Sequence, residues 1–222
     1  HNRLPCRFYK FAVGFFVIRA RPACADLLGA KIVSIDGHPI HKIVDGMFPY
    51  ARGPRNHYDQ FKAVFFLESP EVLHAAGFAD AADRETLHVR MKDGSERDEI
   101  IVAEKPNANA PHVYSDSYLS PSPIDGEEKD WKPLLPKDAK LPLFLRDYAN
   151  PFQTAWWADR KTLYVQFRDN ADEPGHPIGA FVDRVKNEIA GYKPKFIVLD
   201  LRLDQGGNFT SNASLMKHIA DD

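Results

Sequence analysis

Two cysteines among 222 residues are too few for a disulfide framework. Cys6 and Cys24 suit either a single bridge in an exported protein or two buried free thiols. No segment approaches the ~20 consecutive apolar residues of a membrane-spanning helix, so no membrane span is expected. The formal net charge of -2 supplies no basic footprint, which argues against nucleic acid as a partner. His38 and His41 are three apart but flank Pro39, and no cysteine or carboxylate cluster completes a ligand set, so neither metal nor cofactor is expected. The opening His1-Asn-Arg-Leu-Pro5 leads no basic region into an apolar core, so no signal peptide is expected there.

What the chain does have is punctuation. A length of 222 residues accommodates two domains. Phe15 to Ile40 reads as strand, short helix, strand and turn, with Leu27 and Leu28 facing inward and Gly29 ending the helix. Asp36-Gly37 is a strong turn dipeptide. Asn56 to Leu67 carries apolar residues at helical spacing, and Ser69-Pro70 starts a further helix that should end near Gly77. Together these make a helical insertion over about 44–78. The runs at 86–91 and 98–103 flank Lys92-Asp-Gly-Ser95 and form a hairpin that closes a first domain, 1–104. Pro106, Pro111, Pro121, Pro123, Pro133, Pro136 and Pro142 then mark 105–150 as an extended linker laid across a surface.

The second domain, 151–222, opens with two strands, 153–159 and 161–167, joined at Asp159-Arg160. Their aromatics Trp156, Trp157, Tyr164 and Phe167 form a cluster that packs the structure or lines a cleft. An amphipathic helix over Pro177 to Ala190 leads by Pro194 into Phe196-Ile-Val-Leu-Asp-Leu201, which has the composition of a strand buried on both faces. Strand, right-handed crossover helix and parallel strand is the economical topology. Asp200 and Arg202 stand two apart on one face, where mutual pairing would satisfy both. Gly206 and Gly207 permit positive φ and close approach to the backbone. A helix follows over Ser211 to Ile219, capped by Ser211 or Asn212. Such a strand, glycine turn and helix either aims backbone N–H groups at an anion or is simply a tight turn.

Asp200-Leu-Arg-Leu-Asp-Gln-Gly-Gly207 resembles the Asp-Leu-Arg-x-Asn-x-Gly-Gly signature of the C-terminal-processing, or tail-specific, serine peptidases, with Asp204 where the family usually has Asn. Phe15 to Ile40 is similar to the core of the PDZ domain that these peptidases carry. The resemblance implies a mixed fold of the α+β or α/β class, with a PDZ-like, β-rich first domain bearing the helical insertion. The first part of a ClpP/crotonase-like α/β peptidase domain would follow. It also implies a polypeptide substrate and an oxyanion hole to which Gly206 or Gly207 contributes a backbone N–H, Gly206 being favoured. Gln166 stands near the place where some relatives carry a catalytic His, and Gln166 and Asn208 are its substrate-side candidates. The family's nucleophilic Ser and its partner Lys follow the glycine signature, so they are expected in sequence beyond these residues, and the chain alone is expected to be inactive. Neither Ser211 nor Ser214 is a candidate nucleophile, because both lie close to the glycines in the expected helix. The same resemblance suggests a periplasmic or extracytoplasmic location and leaves room for a homo-oligomer. The competing reading is a noncatalytic PDZ-containing binding or scaffold protein.

Overall fold

The computed structural model describes residues 2–105, 118–122, 124, 130–148, 150–204 and 206–221. They form two compact units, His1–Ala139 and Lys140–Asp222, so the division falls inside the proline-rich stretch.

Unit 1 is built on an antiparallel sheet. Strands β1 (Cys6–Phe11) and β2 (Gly14–Ala20) form a hairpin, and a six-residue 3-10 helix, Pro22–Leu27, leads through Gly29 into β3 (Lys31–Ile35). Asp36 and Gly37 both take positive φ, as the dipeptide predicts, and reverse the chain into the two-residue strand β4 (His38–Pro39). The helical insertion follows as α1 (Ile40–Met47), α2 (Arg55–His57), a π turn at Tyr58–Lys62, α3 (Ala63–Leu67) and α4 (Pro70–Ala75). The Tyr58 hydroxyl donates to the Val44 carbonyl at 2.9 Å, which fastens the π turn to α1. Buried Glu68, just past α3, accepts the Phe8 N–H at 2.8 Å and pairs with Arg3. Strands β5 (Arg84–Arg90) and β6 (Glu96–Val102) close the sheet as the expected hairpin, in the order β1-β2-β3-β5-β6.

The described part of the proline-rich stretch is more than a surface strap. Lys132–Pro133 forms a strand, β7, paired with β2, and Tyr118 and Ile124 bury against Tyr9 and Ile18. The buried Arg19 guanidinium donates to the Ser120 and Ser122 carbonyls at 3.2 and 3.0 Å, which holds that segment against the sheet. Pro106, Pro111 and Pro123 lie outside the described residues.

Unit 2 has a three-stranded sheet. Strand β8 (Phe152–Trp157) runs antiparallel to β9 (Thr162–Phe167), and β9 pairs in parallel with β10 (Phe196–Asp200) after the crossover helix α5 (Ile178–Tyr192). Helix α6 (Ala213–Asp221) ends the chain and buries Leu215 completely. Leu163, Val165 and Phe167 of β9 pack with Phe181, Val182 and Val185 of α5. The expected burial of β10 on both faces is overturned. It is the edge strand, and alternation wins: Ile197 and Leu199 join the core while Phe196 and Val198 are exposed. The four aromatics also divide. Trp156 stacks on Tyr192, Trp157 meets Tyr164, and Phe167 packs against Phe152 and Phe181. No described helix is long and apolar enough to cross a membrane.

Glu85 breaks the core pattern of unit 1. It shares a face of β5 with buried Leu87 and Val89, is itself fully buried, and neither carboxyl oxygen has a hydrogen-bond partner among the described residues. Burial pushes its pKa well above the usual carboxylate range, and the charges of Asp36 and Glu68 add to the effect. The favoured neutral form is fully in place below the unfolded pKa of about 4.3, and stability is lost as pH rises towards and through the folded value. Glu85→Gln, which cannot ionise, should therefore stabilise unit 1 by at least about 1 kcal/mol at pH 8 and much less at pH 4 in urea unfolding. Equal gains at both pH values would show that the carboxyl does not ionise on this account.

Candidate functional site

The two faces of β9 are chemically opposite. Leu163, Val165 and Phe167 face the helices, whereas Tyr164 and Gln166 project from the other side, where Arg168 continues the row. All three of these polar residues are buried, and their side-chain polar atoms are engaged internally except the Arg168 Nε, which has no hydrogen-bond partner among the described residues. Tyr164 donates to Asp200 Oδ2 at 2.8 Å. Gln166 receives the Gln153 side-chain amide and donates to the Phe144 carbonyl at 3.2 Å. The Arg168 guanidinium donates to the backbone carbonyls of Phe144, Arg146, Asp147 and Asn150, so one side chain shapes the start of the unit. The Gln166 amide is thus engaged at both ends and turned away from solvent.

Asp200 closes β10 with the partner that the period-two spacing predicts. Its Oδ1 accepts both the backbone N–H and the Nε of Arg202 at 3.0 Å, and the guanidinium lies 3.8 Å from the Phe144 ring centroid. Burial drives the Asp200 carboxyl upward, but the hydrogen bonds from Arg202 and Tyr164 outweigh it and hold the group below the ordinary range.

Beyond β9 and β10 the chain segments meet once more, at a parallel bridge between Asn170 and Gly207. Asn170 donates to the Gly206 carbonyl at 2.7 Å and accepts from the Asn208 N–H at 2.8 Å. That pattern turns the N–H of Gly207 itself away from Asn170, and it has no hydrogen-bond partner among the described residues. The Gly206 N–H is already used: it donates to Asp204 Oδ1 at 2.7 Å. Asp204 Oδ2 in turn accepts the Asn170 amide at 2.7 Å, and Asn212 donates to Asn170 Oδ1 at 2.6 Å. Burial raises the Asp204 pKa against these hydrogen bonds, and the charge of Asp169 acts in the same sense.

Asn208 caps the 3-10 turn Phe209–Asn212, its Oδ1 accepting from the Thr210 N–H and hydroxyl at 3.1 and 2.7 Å. This cap belongs to the 3-10 turn that precedes α6, ahead of Ser211 and Asn212, the expected cap positions of the helix itself. Gln205 lies outside the described residues. One pairing was not foreseen: Lys186 Nζ donates to Ser214 Oγ at 3.0 Å. It has the composition of a Ser-Lys dyad, yet it joins two exposed helix positions, and Lys186 also approaches Asp183 at 4.0 Å. The contact is exposed and ties α5 to α6.

Unit 1 holds a separate feature, a cleft of about 430 Å³. Val13, Phe15, Ile32, Ile40 and Val44 line it on the apolar side, with Lys10, Lys31 and Arg90 among its charged residues. The insertion helices leave it open.

Gly206 and Gly207 both have positive φ, +98° and +118°, but only Gly207 is crowded. A Cβ there would lie 2.7 Å from the Asn170 carbonyl oxygen, while at Gly206 it meets nothing within 4 Å. Gly206→Ala should cost unit 2 about 1 kcal/mol from φ alone, and Gly207→Ala at least about 2 kcal/mol, read by chemical denaturation. The reverse order would mean that the Asn170 bridge is not formed.

No protein-family model and no curated protein matches this chain. Solved structures do. Mature CPAF complexed with lactacystin aligns with 97% of this chain at 14% identity and a TM-score of 0.58, and mature CPAF alone aligns with 94% at 14% identity and 0.53. A serine-to-alanine mutant of CPAF aligns with 94% at 15% identity and 0.52. The chain spans 41–43% of the length of these CPAF chains. At this identity the likeness is one of fold, and the fold is a mixed α/β one shared with CPAF across both units.

Proposed function

We propose that these residues form part of a serine-type endopeptidase that resembles the tail-specific family. Unit 1 would serve as a PDZ-like module that engages a polypeptide, and unit 2 as the first part of a ClpP/crotonase-like peptidase domain. The fold shared with CPAF, whose solved structures include a mature form, a complex with lactacystin and a serine-to-alanine mutant, supports this reading. The observation that carries it is the Gly207 N–H at the end of the Asp200 to Gly207 signature, turned away from Asn170 and without a hydrogen-bond partner among the described residues.

In this mechanism a nucleophilic Ser, activated by a Lys, attacks the scissile carbonyl and forms an acyl-enzyme. Both residues come from sequence beyond these 222. Gly207, rather than Gly206, donates to the oxygen on which negative charge develops, an interaction worth roughly 3 kcal/mol in the transition state. Gly206 keeps the turn in shape through Asp204. Asp204 places a titratable group in the same turn, and its ionised form opposes an oxyanion, whereas its neutral form does not. Its raised pKa extends the neutral form to higher pH than an ordinary aspartate. An exported, periplasmic or extracytoplasmic setting belongs to the same reading.

The test uses the full-length parent protein with an unfolded polypeptide as substrate. Cleavage should fall as pH rises through the titration of Asp204, and Asp204→Asn should remove that fall and raise kcat several-fold at neutral pH. Absence of cleavage by both proteins across the pH range would sink the peptidase reading. An unchanged profile in Asp204→Asn would sink the role given to the turn.

The second reading, a noncatalytic peptide-binding protein, is favoured by the open cleft of unit 1, which requires no nucleophile. Fluorescence anisotropy with labelled unfolded peptides should show binding by the 222-residue chain, weakened at least about tenfold by Val44→Arg. Binding with no cleavage by the parent protein selects this reading. Indifference to Val44→Arg removes the cleft from either one.

A further inference from the structure

We propose that Cys6 and Cys24 are a thiol modification site, a preplaced pair that oxidises to an intrachain disulfide and staples β1 to the helix following β2. The backbone brings them together. Cys6 stands opposite Ala20 in the β1–β2 register, and the Arg21 N–H donates to the Pro5 carbonyl at 2.9 Å. The chain then turns at once into the Pro22–Leu27 helix, where the Cys24 N–H donates back to the Arg21 carbonyl at 2.9 Å. This turn directs Cys24 into the core that also holds Cys6. Both are free thiols in the same core cluster, 0% and 2% exposed, and each shifts the pKa of the other.

Their environments divide the chemistry. Burial pushes the Cys6 thiol up, with Cys24 adding to the effect, whereas the hydrogen bond from Cys6 lowers Cys24 despite burial and the charges of Asp26, Glu104 and Glu99. Cys24, carried on the short helix beside solvent-facing residues, is the attacking sulfur, and Cys6, held in β1, the resolving one. Access is local. Cys24 rides on a helix of six residues with no side-chain cap, and Pro22, Ala23 and Asp26 on that helix face solvent. Opening one short turn uncovers it without breaking the β1–β2 ladder. Metal capture is a poorer use of the pair, since no group of three or more ligating side chains occurs among the described residues.

The oxidant is a low-molecular-weight disulfide. The Cys24 thiolate attacks one of its sulfurs and releases one thiol. The Cys6 thiolate then displaces the second, so two electrons pass to the oxidant and its two sulfurs leave as thiols carrying the two protons. The staple lies at the end of the hairpin remote from the Phe11–Gly14 turn, and the cleft is lined from the turn end, by Lys10, Val13, Gly14 and Phe15. Oxidation should therefore stabilise unit 1 and leave peptide binding in the cleft unchanged.

The experiment incubates the reduced, folded 222-residue chain with oxidised glutathione, beside Cys6→Ala and Cys24→Ala. The parent chain should lose about 2 Da, yield a Cys6–Cys24 linked peptide, and gain about 10 °C in Tm that dithiothreitol reverses. Each variant should show no linked peptide and no rise in Tm. Three results overturn the proposal: both thiols of the folded parent chain staying reduced while the denatured chain oxidises, only mixed or intermolecular disulfides, or a bridged form with no gain in Tm. If the variants fail to fold, the parent chain and its reversal by dithiothreitol decide the matter alone.

Discussion

The single parallel bridge between Asn170 and Gly207 is the constraint on which the candidate site of unit 2 depends. Strands β9 and β10 separate after Gln166 and Asp200, and nothing in their own ladder would bring the two segments together again. Asn170 does so with two backbone hydrogen bonds, and the approach is so close that only a residue without a Cβ fits opposite it. The direction of the Gly207 N–H follows from that pairing alone. The amide chain from Asn212 through Asn170 to Asp204 then fixes the turn from the side, so local geometry and side-chain chemistry converge on one backbone group.

The polar face of β9 explains how the turn is kept in place. Burying Tyr164, Gln166 and Arg168 would be costly if any were unpaired, and a partly satisfied network of this kind is worse than an apolar one. Here Asp200 and the backbone carbonyls of Phe144, Arg146, Asp147 and Asn150 accept from these side chains, and the Gln153 amide donates to Gln166. The consequence is specificity of arrangement. The segment before β8 cannot shift without stranding the Arg168 guanidinium, and Asp200 cannot rotate without releasing Arg202. Unit 1 shows the contrary case at Glu85, where a carboxyl on the core face of β5 has no such partner among the described residues.

Much of this was legible from residue order, and the parts that were not share a cause. The β5–β6 hairpin followed from Asp93-Gly94 between apolar runs, α5 from its spacing, and the Asp200–Arg202 pair from a separation of two. These depend on neighbours in sequence. The exposure of Phe196 and Val198 did not follow, because an apolar run reads alike in a central and an edge strand, and only sheet order tells them apart. Nor did the choice between Gly206 and Gly207, since N–H direction is set by Asn170, far away in sequence. Pairing of Lys132–Pro133 with β2 was hidden by prolines that argue against regular structure, and the capping role of Asn208 by the helix pattern that begins after it.

Strand β10 presents one further consequence. Its outer edge has no strand paired to it among the described residues and lies beside exposed Phe196, Val198 and Leu201, a surface of the kind that accepts a further strand. The flanking charges bear on that hazard: Lys193 and Lys195 stand before the strand and Arg202 after it, so an incoming identical strand would meet like charge at both ends. The same lysines and arginine that look incidental to the fold thus set which strands this edge can accept: one with opposite charge at its ends is favoured over a second copy of itself.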